Sequence, residues 1–351
     1  MARVSAGSEK RGAEGNGKDK DKASRKETVL LRISFIILER EVYFYAGYAL
    51  PIDSFGSFGI FDPMPTQTQT RIRLGHSPDP DDAFMFYALA ENKIPSEGFE
   101  VEHVIEDIES LNQRALKGEL EVTAVSCHAY AHLADKYVVM RSGSSIGDQY
   151  GPILVAPGKN VRDRELEAED FRGKRIAVPG KLTTAFLVLQ LFQKDIRPVF
   201  IAFDQIFDAV KAGKADYGLI IHEGQITFEK QGFWKAVDLG KWWHEKTSLP
   251  LPLGVDVVRR DLGEDRVRSF AKLFKASIEY ALAHRGPALK FAQKYGRGIS
   301  DELNDRFVGM YVNHYTVEMG EKGAAGFQKL LDWGYEAGLL PNRIKLDFVS
   351  G

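Results

Sequence analysis

The stretch RIRLGHSPDPDDAFMFYALAENKI, Arg71 to Ile94, changes its period in the middle. Arg71, Ile72, Arg73 and Leu74 alternate polar with apolar, the period of two of a half-buried strand. Pro78 and Pro80 then stop the strand, because proline offers no amide to a ladder. From about Asp82 the apolar residues recur at helical spacing, so a helix is predicted there. The preferred reading of Asp81 and Asp82 is capping of that helix. With Asp79 they also stand at the carboxyl end of a strand, where α/β folds bind ligands, and there they could hold a cation or a substrate hydroxyl.

The alternation continues along the chain. FEVEHVIED is predicted as a strand, IESLNQRALKGE as a helix, LEVTAVS as a strand and CHAYAHLAD as the start of another helix. A second unit begins near Ala156, with GKRIAVPG, RPVFIAF and DYGLIIHEGQ as strands and TTAFLVLQLFQ and DQIFDAVKAGKA as helices. This order predicts an α/β protein with a mainly parallel sheet. KWWHEKTSLPLPLG breaks the pattern, and its leucines and prolines predict an extended crossover between units. The last third is predicted helical, on the apolar spacing of EDRVRSFAKLFKASIEYALAHRG.

Composition narrows the function. At 351 residues the chain is long for one core, which favours about two domains. A net charge of -2 gives no field for nucleic acid or an anionic membrane. A single cysteine, Cys127, allows neither an internal disulfide nor a thiolate metal cluster, and fits a cytoplasmic protein. The first 27 residues carry almost nothing to bury and are expected to be disordered. The run TVLLRISFIILEREVYFYAGYAL is interrupted by Arg32, Glu39, Arg40 and Glu41, which argues against a membrane span or a signal peptide. Met64 stands just before the first well-patterned strand, which leaves two starts open, Met1 and Met64.

Several motifs are missing. No Walker loop, dinucleotide-binding glycine motif or nucleophile elbow is present, so nucleotide and serine-hydrolase readings lose their main support. HAYAH spaces His128 and His132 as a zinc protease does, but Ala129 stands where that motif needs glutamate; no metal site is expected. Thr183 and Thr184 open a helix after a strand, where free amides and the helix dipole suit an anion, and where threonine also simply caps. Ser126 poses the same choice before CHAY, and Tyr150 either stacks on a ligand or closes a loop. His222, at the end of DYGLIIH, is a candidate base or a packed strand-end histidine. On an extended strand Glu223 would point away from it and support the loop.

Taken in order, SPDPDDAFMFYAL, AVSCHAYAHLAD, YGPILVA, RIAVPGKLTTAFLVLQLF and DYGLIIHEGQITFE resemble the 1,4-dihydroxy-6-naphthoate synthases of the futalosine route to menaquinone. The likeness runs from about Arg71 to the C-terminus and is strongest in GKLTTA and HEGQ. It implies the two-lobed fold of type II periplasmic binding proteins, with the ligand between the lobes. Residues 71–155 plus 253–351 would form lobe one and 156–252 lobe two, after an extension over 1–70. The activity implied is a carbon–carbon lyase that turns cyclic dehypoxanthine futalosine, a small anion, into 1,4-dihydroxy-6-naphthoate without a cofactor. His222 matches the family's general base, Thr183 and Thr184 its ligand-binding pair, and Ser126, Cys127 and His128 a further ligand-contacting stretch. Asp79 and Asp81 replace the Cys and Asn of the usual Ser-Pro-Cys-Pro-Asn-Asp motif. Their charges would repel an anionic substrate unless they are paired, protonated or turned away. Chorismate dehydratase of the same pathway shares the architecture, and HEGQ argues against it. A solute-binding protein is the alternative from another class, since fold does not fix function.

Overall fold

The computed structural model describes residues 69–159 and 166–351. The expectations for the N-terminal extension, including the apolar run from 28 to 50 and the alternative start at Met64, lie outside the described residues up to 68.

Two sheets organise the described chain. The first is built from β1 (Thr70–His76), β2 (Phe99–Ile105), β3 (Val122–Ser126), β4 (Tyr137–Met140) and β5 (Ser145–Gly147). The second takes β6 (Ile153–Pro157), β7 (Arg175–Val178), β8 (Arg197–Phe200), β9 (Tyr217–Ile220) and β10 (Phe233–Asp238). The chain then returns to the first through β11 (Leu251–Arg259) and closes it with β12 (Phe348–Val349). The spatial orders are β12-β4-β11-β3-β1-β2, with β5 on β11, and β10-β6-β9-β7-β8.

Neither sheet is mainly parallel, contrary to the sequence expectation. β1 runs parallel to β2 and β3, and β7 parallel to β8 and β9. β11 runs antiparallel to β3, β4 and β5, and β6 antiparallel to β9 and β10. The reason is that β6 and β11 are the strands on which the chain arrives from the other sheet. A strand entering from outside needs no helical crossover, so it is free to pair antiparallel.

Each βα unit follows from its residues. The Pro80–Ala90 helix is buried along nearly its whole length, so its FMFYAL run is apolar all round instead of striped. Phe86 stacks on Phe274 of the Glu264–Ala283 helix at 4.9 Å between centroids. Phe84 and Phe86 are both fully buried, and burial of each side chain stabilises by about 1.5–3 kcal/mol. The Ile108–Lys117 helix begins at a true cap, the Asp107 carboxylate accepting from the amides of Glu109 and Ser110, and ends at Gly118 in the left-handed region, φ 71°.

The predicted extended crossover is partly helical. Residues Leu239–Thr247, which hold both tryptophans, form a helix, and only from Leu251 does the chain extend into β11. Trp243 is fully buried and its indole N–H donates to Pro250 O, so apolar aromatic packing wins over the local proline signal. The two links between the sheets, 148–152 and 239–250, lie against each other. A Cβ on Gly240 would fall 2.0 Å from the Tyr150 carbonyl carbon, so only glycine fits there. The Asp238 carboxylate accepts from the amides of Gly151 (3.1 Å) and Gly240 (3.0 Å), one from each link.

Candidate active site

The carboxyl ends of β1, β3, β7 and β9 are followed by residues 77–82, Cys127 onward, 179–184 and 221–223. A cavity of about 730 Å³, counted to its open mouth, lies among several of these ends and is closed on one side by β11. Its wall includes Ser126, Thr183 and Thr184, three of the residues singled out from sequence. Ser126 is brought to the threonine pair, 57 and 58 positions further on, by the switch from one sheet to the other.

Thr183 caps the Thr184–Phe192 helix, its hydroxyl accepting from Phe186 N at 3.3 Å and donating to Gly180 O at 3.1 Å. Thr184 donates its hydroxyl to Leu253 O of β11 at 2.6 Å and accepts from His128 N at 3.3 Å. The capping read from sequence is therefore made by Thr183, and Thr184 ties the helix start to β11. The hydroxyls fix the helix end, and its first two residues, Thr184 and Ala185, line the cavity. Ser126 is clamped by Asn112, whose Oδ1 accepts from the Ser126 amide at 2.9 Å and whose Nδ2 donates to its hydroxyl at 3.1 Å.

Cys127 and His128, expected to contact ligand, do not line the cavity. The short Cys127–Tyr130 helix turns both side chains behind the wall, where they are buried. Burial pushes the Cys127 thiol above its ordinary range, so it stays un-ionised. Burial brings His128 down to about 4, and its Nδ1 lies 3.3 Å from Thr183 O. These two residues support the threonine pair from behind. Tyr150 closes a loop, its hydroxyl donating to Met310 O.

His222 stands beside the cavity without lining it. Its neighbour Ile221 is part of the wall, while the imidazole packs edge-on to Phe203 with centroids 5.4 Å apart. Gly224 N–H donates to Nδ1 at 3.0 Å, which assigns the remaining proton to Nε2, 3.2 Å from Phe203 O. Glu223 is not on the opposite face, as an extended strand would have put it. β9 ends at Ile220, and the chain is already turning, with Gln225 N bonded to His222 O at 2.8 Å. Glu223 Oε2 consequently comes to 3.4 Å from His222 Nδ1.

The acidic residues are not caps. Asp79 occupies the cap position of the Pro80–Ala90 helix, but its side chain makes no capping bond. It accepts instead from the Ser77 hydroxyl at 3.0 Å and from Arg297 at 2.5 Å. Asp82 accepts from Ser77 N at 2.7 Å, and one oxygen of Asp81 has no partner. Both are buried inside the helix because the helix starts at Pro80, earlier than the sequence suggested. Burial, then the charges of Asp82 and Asp79, push Asp81 well above the usual carboxylate range, and burial brings Asp82 up to about 7. Of the two departures from the family motif, Asp79 is thus paired with Arg297, and Asp81 is pushed by burial towards its uncharged form.

Three further residues escaped the sequence reading. Arg297 donates to Glu223 at 2.7 and 2.5 Å, to Asp79 and to Pro78 O, with its guanidinium 5.1 Å from the Phe203 ring centre. Despite burial, which raises it, the Glu223 carboxyl is held down to about 2 by the adjacent His222 and by Arg297. Asp256, fully buried on β11, lines the cavity and is pushed well up by burial and by the charge of Asp82. A carboxylate amid the valines of GVDVV was the available signal for it. Tyr311 reaches the cavity from the C-terminal helices and donates to Gln225 at 2.6 Å. Among the described residues that line the cavity there is no lysine or arginine.

Residues 72–336 match the family model described as menaquinone biosynthesis. The 1,4-dihydroxy-6-naphthoate synthase of Thermus thermophilus is 42% identical over 74% of this chain and 92% of its own length. That of Streptomyces coelicolor is 32% identical over 77% and 95%. A solved protein from Archaeoglobus fulgidus is 45% identical with TM-score 0.72, covering 78% of this chain and 99% of its own. The alkanesulfonate-binding protein SsuA from Xanthomonas axonopodis pv. citri, at 15% identity and TM-score 0.60 over 80% and 99% of the two chains, shares the fold alone. With its two-lobed α/β architecture of the type II periplasmic-binding-protein kind, the chain belongs to the 1,4-dihydroxy-6-naphthoate synthase family.

Proposed function

We propose that this protein is a carbon–carbon lyase that converts cyclic dehypoxanthine futalosine into 1,4-dihydroxy-6-naphthoate, with His222 as the general base. The convergence of Ser126, Thr183 and Thr184 on one cavity, beside the His222–Glu223 pair, carries the reading. The substrate carboxylate sits at the start of the Thr184–Phe192 helix, where amides and the helix dipole meet it without a lysine or arginine.

The histidine geometry fits a base that is idle until substrate arrives. In its resting tautomer Nδ1 carries a lone pair, masked by the Gly224 amide, and Nε2–H is held by Phe203 O. A proton accepted at Nδ1 breaks the Gly224 bond and turns the 3.4 Å contact with Glu223 into an ion pair. Glu223, fixed by Arg297, thereby stabilises the imidazolium. The ring, buried against Phe203, must turn towards the cavity wall at Ile221 for this. Loss of the proton starts the release of the sugar-derived fragment, and the gain of an aromatic ring drives it.

Incubation of the purified protein with cyclic dehypoxanthine futalosine, followed by mass detection of the naphthoate, tests the assignment. Absence of product under conditions where the Thermus thermophilus relative turns over would sink it.

A further inference from the structure

Four carboxyl groups, those of Asp79, Asp81, Asp82 and Asp256, line a single cavity. They are not equivalent. Asp79 is matched by Arg297, and Asp82 accepts from the Ser77 amide. Asp81 and Asp256 each keep one carboxyl oxygen with no partner, although they are only 7% and 1% exposed. A buried oxygen left unpaired in a protein wall is costly unless a ligand completes it.

We propose that Asp81 and Asp256 act as a pair of carboxylic-acid hydrogen-bond donors that grip an uncharged, oxygen-bearing part of the substrate. This rests on the functional reading above, in which that part is the sugar-derived fragment, with hydroxyl and ether oxygens as acceptors. The cavity is then divided by charge. The helix start at Thr184 takes the carboxylate, and the wall formed by β11 and the Pro80–Ala90 helix takes the neutral end.

Geometry restricts the alternatives. Gly143 at φ 91° lets the backbone pass so close to Asp256 that a Cβ would lie 2.4 Å from its Oδ2, so this carboxyl is held in a fixed pose. No group of side chains suited to a metal ion occurs among the described residues. The charged and titratable groups facing the pair are Asp79 with Arg297, Asp82, Tyr311 on the Asp301–Tyr311 helix, and Glu223 through Arg297. Only Arg297 is cationic, and it is already shared by two carboxylates. Burial raises both acids, consistent with a donor role at neutral pH.

The test compares Asn with Leu at each position, using cyclic dehypoxanthine futalosine as the probe and the intact chain. Asp81→Asn and Asp256→Asn keep a donor of the same shape but cannot ionise; Asp81→Leu and Asp256→Leu remove it. Each Leu variant should raise KM by about 10-fold with a smaller effect on kcat, and the Asn variant should restore most of that loss. In the wild type, KM should climb as pH rises and these raised acids ionise, and the rise should flatten in the double Asn variant. Infrared spectra of the wild type at neutral pH should show protonated carboxyl bands, each missing from the matching Asn variant. KM unchanged by Leu, or Asn as damaging as Leu, or ionised carboxylates at neutral pH, would overturn the proposal. An inactive wild type whose protonated bands are present defeats the lyase reading and the grip on this substrate, while leaving the protonation finding standing on its own.

Discussion

Arg297→Met removes the guanidinium that joins Glu223 to Asp79 while keeping most of the aliphatic stem. Glu223 is 6% exposed and would be left as a buried carboxylate. Its carboxyl lies at about 2 instead of 4.5 in the folded protein, which at about 1.4 kcal/mol per unit is worth roughly 3 kcal/mol at neutral pH. His222 and Arg297 together hold it down, so removing the guanidinium takes away a large part of this. Truncating one partner of a buried pair typically costs about 3–5 kcal/mol, the same range by a separate route. Because the folded value is depressed, the stabilisation is complete above about pH 4.5 and fades as pH falls towards 2. Urea unfolding at pH 7 should therefore show the variant less stable by about 3 kcal/mol, with a melting point lower by about 6 °C at roughly 2 °C per kcal/mol. Repeated nearer pH 3.5, the gap between the two proteins should narrow. Equal stability at pH 7, or a gap that ignores pH, would refute the assignment of Arg297 as the counter-ion of Glu223.

Asparagine at 222 keeps size and removes the base, so turnover should fall by about 100-fold or more with little change in binding; a normal rate in stopped assays would place the base elsewhere. Valine at both 183 and 184 should weaken substrate binding by about 1–3 kcal/mol in calorimetry, together with some loss of helix capping. Asp256→Asn should stabilise the free protein by about 1–3 kcal/mol at pH 8, since an amide cannot ionise and so escapes the cost of burying an acid whose ionised form burial disfavours. The folded acid is raised, so its contribution is full at low pH and lost as pH rises; the advantage of Asn should accordingly shrink at pH 5, as read from urea midpoints. Gly240→Ala should cost several kcal/mol by forcing its Cβ into the Tyr150 backbone, and normal expression with a wild-type melting point would contradict the tight contact of the two links.

Periodicity revealed β1 to β3 and β7 to β9 with the helices between them, while the short strands β4, β5, β6, β10 and β12 carry too few residues or too little alternation to be read. It also brought out Thr183, Thr184 and His222, which sit next to strand ends that the pattern marks. Other features depend on closure of the chain over long separations. Arg297 meets Asp79 across 218 positions, and no local pattern around YGRG records that encounter. The fate of Asp81 and Asp82 turned on where the helix begins: one at Pro80 buries both, whereas one at Asp82 would have left them as caps. His222 and Glu223 were expected to diverge because the apolar run through Ile221 reads as strand, yet the ladder stops at Ile220 where the partner strand has no further amide to offer. Antiparallel entry of β6 and β11 was hidden for a similar reason, since strand direction is a property of pairs.

The two links between the sheets meet at Gly151 and Gly240 and share the Asp238 carboxylate. Two separate hinges would let the lobes both bend and slide; fastened together, they leave a single line about which the halves can turn. Cavity width then becomes a function of one angle. A bridge at the rim, such as Arg297 between Asp79 and Glu223, and a ligand gripped at the floor act on that same angle, so their free energies add along one coordinate. Loosening the rim should be felt as lost affinity for a molecule held at the floor.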